Sequence, residues 1–228
     1  MKNRHGENSR SFDTPSPLRL IAATAGHTSN PGDARPALLS PDPATRATAL
    51  GALARCGALT DEDLSAALAD PAPHTRARAL RLLGGHWRPG FADAVLRALD
   101  DDNDMVAEVA AFCAGESDPT DDARDAVVER LARVATSHSD ALVREAAVAA
   151  LGSIGAAGGR AAVLAACSDL AAVRRRAVLA LVAFDGDEVD AELERLTHDR
   201  DWQVRQAAEE LLAIGGPIPS GPGADEHG

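Results

Sequence analysis

An all-α solenoid of about six helical hairpins is the fold the sequence predicts, and three observations carry that prediction. Only 3% of the 228 residues are aromatic, with no Tyr, four Phe and two Trp, so a core of this size must be filled by small aliphatic side chains. Alanine and leucine dominate, both favour helix, and no stretch alternates in the β-branched pattern of a strand. The third observation is an internal period: Arg46, Arg76, Arg144, Arg174 and Arg205 align, with Ala107 in the equivalent place of one repeat, at spacings of 30, 31, 37, 30 and 31 residues. A period of this size marks stacked supersecondary units.

The ends of the chain set the limits of that array. Residues 1–16 are polar and close on Pro15, and residues 216–228 read GPIPSGPGADEHG. Neither composition can bury apolar surface, so both are expected to be disordered tails around a solenoid at 17–215.

Each repeat opens at a helix-start signal, in order Asp42-Pro43, Asp70-Pro71, Asp102-Asn103, Ser139-Asp140, Ser168-Asp169 and Asp199. Asp, Ser and Asn accept from free N–H groups, and Pro suits a first turn. The helix that follows carries the aligned residue. One position before it stand Thr45, Thr75, Val106, Val143, Val173 and Val204; three after it, Ala49, Ala79, Ala110, Ala147, Ala177 and Ala208; seven after it, Leu53, Leu83, Ala114, Leu151, Leu181 and Leu212. Those offsets share one face at 3.6 residues per turn, which makes them the buried stripe. An alanine in all six repeats implies helices too close for a larger side chain. Repeats end near glycine, and a second helical segment lies between stripes, at 61–69, 91–99, 122–135, 160–166 and 188–197. Each repeat is thus an antiparallel helix pair that must stack on its neighbours.

The segments DALVREAAVAALGSIG (140–155) and DWQVRQAAEELLAIGG (201–216) resemble bacterial HEAT-like repeats, the type first associated with phycobilin lyases. The resemblance covers roughly residues 33–215 and implies a right-handed α-solenoid of about six HEAT-like hairpins. Two departures stand out: Ala107 replaces the arginine of the pattern, and the next step is longer by six or seven residues around Gly115–Pro119. A kink is expected near 115–120.

Composition restricts function. A net charge of -12, with Arg supplying 22 of 23 basic residues, repels nucleic acid and anionic membranes unless basic groups share one face. Arginines cluster at 76–88 and 174–176, but Trp87 and Trp202 are isolated and give no stacking platform, so nucleic acid is disfavoured. Cys56, Cys113 and Cys167 lie among helical apolar residues without metal-binding spacing and read as buried, reduced thiols of a cytoplasmic protein. The one early apolar run, Leu18–Ala25, is short and interrupted by Arg19, and no stretch has transmembrane length. The acidic run at 100–104 lacks the glycine and distal glutamate of a calcium loop and reads as a solvated helix start. No His-Glu dipeptide, HExxH, GxSxG or phosphate loop occurs, so no catalytic residue, metal or cofactor is assigned.

Two residue sets are singled out. The recurring Arg and Asp, here Arg46, Arg76, Arg144, Arg174, Arg205, Asp140 and Asp169, are expected to form a structural ladder between repeats, because a catalytic site is needed once and a junction is needed at every step. The other set lies opposite the alanine stripe, at offsets of minus two, one and five. These positions are small or polar in repeats one, two and six. In repeats three to five they include Met105, Glu108, Phe112, Leu142, Glu145, Ala149, Arg175 and Leu179, an apolar strip with charged edges. In solenoids of this type such helices line the concave surface, so the strip is expected to bind a protein or peptide partner, which makes the chain a non-catalytic scaffold or adaptor. The lyase-type resemblance implies an alternative, an auxiliary lyase or chaperone-like subunit acting on a client protein.

Overall fold

Short polar residues placed just before apolar, alanine-rich runs start the helices. Ser16 and Asp42 each precede a proline and accept from N–H groups of the following turn, Ser16 from Arg19 and Asp42 from Ala44 and Thr45. The computed structural model describes residues 15–84, 88–117 and 121–215. The two expected tails therefore lie outside the described residues, apart from Pro15 and Ser16, and so does part of the expected kink. The chain divides between Leu82 and Leu83 into two units.

The first unit holds α1 (Pro17–Thr28), α2 (Pro31–Ala34) running into a 3-10 turn at Arg35–Leu39, α3 (Pro43–Arg55), α4 (Asp61–Leu68) and α5 (Pro73–Leu83) except for its last residue. Helix α1 packs directly on α3. It stands one helix ahead of the first hairpin read from the sequence. Its contacts are made by alanines: Ala22, Ala37 and Ala49 form one buried cluster, and Ala25, Ala34, Ala52 and Leu53 another.

The second unit holds α6 (Ala92–Ala98), α7 (Asp104–Glu116), α8 (Asp121–Ser137), α9 (Ala141–Ile154), α10 (Arg160–Ala166), α11 (Ala171–Leu181), α12 (Asp187–Leu196) and α13 (Trp202–Gly215). The stripe-bearing helices stack in order, α9 packing between α7 and α11 and α11 against α13. The other helices pair with them, α8 on α9, α10 on α11 and α12 on α13. The described residues contain helices and no strands. The fold is thus all-α, and within each unit hairpins stack as repeats do, each burying its apolar face on the next.

The stripe is the core. Ala49, Ala79, Ala110, Ala147, Ala177 and Ala208 are fully buried, as are Leu53, Leu83, Leu151 and Leu181 at the seventh position on. Burying each leucine contributes about 2 kcal/mol. The alanines contribute by letting helices approach. Glycine takes this further on α7 and α9: a Cβ on Gly115 would lie 2.8 Å from Ala150 Cα, and one on Gly152 would lie 2.7 Å from Ala180 Cβ. No helix among the described residues is long and apolar enough to cross a membrane.

Candidate protein-binding face

The arginines at the aligned position are held by a repeated geometry. Arg46 donates from Nε and Nη2 to the two carboxylate oxygens of Asp70, at 2.7 and 2.6 Å, while its Nη1 donates back to the carbonyls of Ser40 and Pro41. Arg144 does the same to Asp169, at 2.7 and 2.8 Å, and to the carbonyls of His138 and Ser139. Arg174 pairs with Asp199 at 2.9 and 2.7 Å and donates to the Asp169 carbonyl. Arg76 reaches the Asp70 and Pro71 carbonyls, and Arg205 the Asp199 carbonyl.

Each aspartate therefore takes one arginine on its side chain and the following repeat's arginine on its carbonyl. It also accepts from a backbone N–H of the turn that leads into the next helix, that of Ala72, Leu170 or Asp201. The paired charge and these bonds hold the carboxyls of Asp169 and Asp199 below the ordinary carboxylate range, with the arginine bond as the main cause. For Asp70, burial pulls the other way and is outweighed by Arg46 and the backbone bond. Bidentate pairs of this kind fix direction as well as distance. Asp140 does something different: its carboxylate accepts from the N–H groups of Leu142 and Val143 and caps α9.

The repeat carrying Ala107 breaks the pattern on both sides of the junction. Ala107 is fully buried. On the next repeat His138 stands where the others have aspartate; its carbonyl accepts from Arg144, and its Nε2 lies 3.9 Å from Asp104. What links α7 to α9 instead is the Gly115–Ala150 approach and a bond from Ser153 Oγ to the Gly115 carbonyl at 2.7 Å.

The acidic run before α7 has local partners. Asp100 accepts from Arg130, and Asp101 from the Asn103 N–H. Among the described residues no three His, Cys, Asp or Glu side chains converge as metal ligands would. Cys113 and Cys167 are buried, and burial is the main cause that pushes their thiols up to about 11 and about 12. Cys56 is half-buried.

On the face opposite the stripe, Phe112 of α7, Leu142 of α9 and Leu179 of α11 are 58%, 60% and 53% exposed. Met105 and Ala149 are half-buried beside them. Because α7, α9 and α11 stack in order, equal offsets lie level with one another. Phe112, Ala149 and Leu179, five after the aligned position, form a row across the three helices, and Met105 and Leu142, two before it, lie on the same side about two turns away. Half-buried charges one after the aligned position lie between these two levels. Glu145 pairs with Arg176 at 3.4 Å, Arg175 donates to Gln203 of α13, and Glu108 stands on α7. Leu170 and Val182, at the two ends of α11, are also exposed. The sequence reading missed them because it sampled only three offsets, and a scan of every apolar position outside the stripe finds both. The arginines at 174–176 all have protein partners, so they do not form an open track for phosphates.

With that geometry in place, the likeness to known proteins is informative about class. Residues 128–213, from α8 to α13, match a family model described as HEAT repeats. A solved designed armadillo repeat protein superposes with a TM-score of 0.56 at 18% identity, over 80% of this chain and 98% of that one. A second designed armadillo repeat protein, in complex with the peptide (KR)4, gives 0.54 at 14% identity over 87% and 98%. An engineered protein gives 0.57 at 21% identity, over 86% of this chain and 62% of that one. No curated protein matches the sequence. The class is therefore the all-α repeat solenoid. Within that class, residues 128–213 match HEAT repeats.

Proposed function

We propose that this protein is a non-catalytic interaction scaffold or adaptor, and that a protein or peptide partner binds across α7, α9 and α11. The observation that carries the reading is the set of Phe112, Leu142 and Leu179 on one side of three stacked helices, each more than half exposed, on helices whose opposite faces are fully buried. Large apolar side chains exposed on one side of three successive repeats, with charges set between them, form the kind of apolar patch that marks a binding surface. The repeat fold suits this use, since stacked helices present an extended, regular surface. The neighbour solved with a peptide has the same kind of fold.

The test is affinity capture from a native lysate with the wild-type chain and with a Phe112→Asp, Leu179→Asp variant, read by mass spectrometry. Both side chains are exposed, so the variant should keep its helicity by circular dichroism. The reading expects a partner retained by the wild type and lost by the folded variant. Identical sets of captured proteins would show that this face is not the binding site.

A further inference from the structure

The charges along the face are ordered. Every charged residue of α7 is acidic: Asp104, Glu108 and Glu116. Every charged residue of α11 is basic: Arg174, Arg175 and Arg176. Helix α9 lies between them with one of each, Arg144 and Glu145. Arg144 and Arg174 are taken up by Asp169 and Asp199, and Arg176 is offset by Glu145. What faces a partner is then Glu108 on α7 and Arg175 on α11, the latter shared with Gln203, each one turn from the Phe112 or Leu179 end of the row of Phe112, Ala149 and Leu179.

The spacing of the row selects an occupant. Packed helices lie about 8–10 Å apart, so the face from α7 to α11 spans about 20 Å. A helix rises about 1.5 Å per residue, so seven residues, two turns, advance about 10.5 Å and return to the same side. An apolar heptad step thus meets one repeat after another. An extended strand returns to the same side every two residues, about 6.6 Å, and falls out of step. We infer that the occupant is an amphipathic helix of a partner chain, about 13 residues long, lying across α7, α9 and α11 with its N-terminal end over α7. In that direction its positive dipole end meets Glu108 and its negative end meets Arg175. Basic residues in its first turn and acidic residues in its last complete the match. This inference rests on the scaffold reading above, and adds the partner's conformation and direction.

Two stapled helical peptides of the same composition test it, both with leucines at heptad spacing. One has lysines in the first turn and glutamates in the last, and the other has the reverse. Affinities for the full chain are read by fluorescence anisotropy. The lysine-first peptide should bind about tenfold tighter, the sum of a few rim charges. A Glu108→Lys, Arg175→Glu variant should invert that preference. Equal affinities, the opposite order, or a preference unchanged in the swapped variant would overturn the inference. Binding of neither peptide would overturn it too. If the lysate partner still depends on Phe112 and Leu179 in those cases, the scaffold reading stands and only the directed helix falls.

Discussion

Arg174 shows most clearly what a single repeated residue does. Its side chain is 5% exposed and that of its partner Asp199 is 7% exposed, so the pair sits where an unmatched charge is costly. Replacing Arg174 with alanine leaves Asp199 buried and unpaired, and should lower stability by about 3 kcal/mol at neutral pH in urea denaturation. Asp199 has a folded pKa depressed below its ordinary 3.8. Its contribution is therefore present above that range and is lost as pH falls through the lower folded value. The gap between wild type and Arg174→Ala should accordingly narrow in acid, as the wild type loses the same carboxylate. A constant gap from pH 7 to pH 2 would show that packing of the guanidinium, and not the charge pair, is what matters.

At the scale of helices, backbone approach decides how α7, α9 and α11 line up. Gly152 lies against Ala180 so closely that an added methyl would sit 2.7 and 2.8 Å from Ala180 Cβ and Cα. These are main-chain and first side-chain atoms with no freedom to swing away. Gly152→Ala should therefore destabilise by about 1–3 kcal/mol despite alanine's better helix propensity. Gly51 is the contrast, since its nearest neighbour is the flexible end of Arg78. Thermal unfolding of Gly152→Ala beside Gly51→Ala checks the point: the first should melt well below the second, and equal midpoints would mean that α9 and α11 can separate without cost.

For the whole molecule, the alignment of five arginines and six alanines made the repeat legible in the sequence, because a ladder and a close contact demand the same residue at every step. The rotation of the helices was legible too. The offsets that put the stripe inside leave Phe112, Leu142 and Leu179 outside, and all three are exposed. Other features were not legible. Helix α1 carries its one arginine, Arg19, 27 residues ahead of Arg46 and so outside the period of 30 or 31, and entered the sequence reading only as a short apolar run, although Ser16-Pro17 is the same start signal as Asp42-Pro43. Nor could spacing tell which aspartates join the ladder, since an Asp at a helix start can cap its own helix, as Asp140 does, or take a neighbouring arginine, as Asp169 does. The choice depends on where the preceding repeat's guanidinium lies. Ala107 removes that guanidinium for the repeat of Asp140, and His138 occupies the position where a carboxylate would have received it.

Hydrogen–deuterium exchange of the full chain, alone and saturated with the captured partner, addresses the binding face most directly. Amides of stable helices exchange slowly when covered and held, so a partner seated on this face leaves its footprint there. The scaffold reading predicts added protection in α7, α9 and α11, around Phe112, Leu142 and Leu179, with little change in α8, α10 and α12. Protection confined to those three intervening helices, or to the first unit, would contradict it.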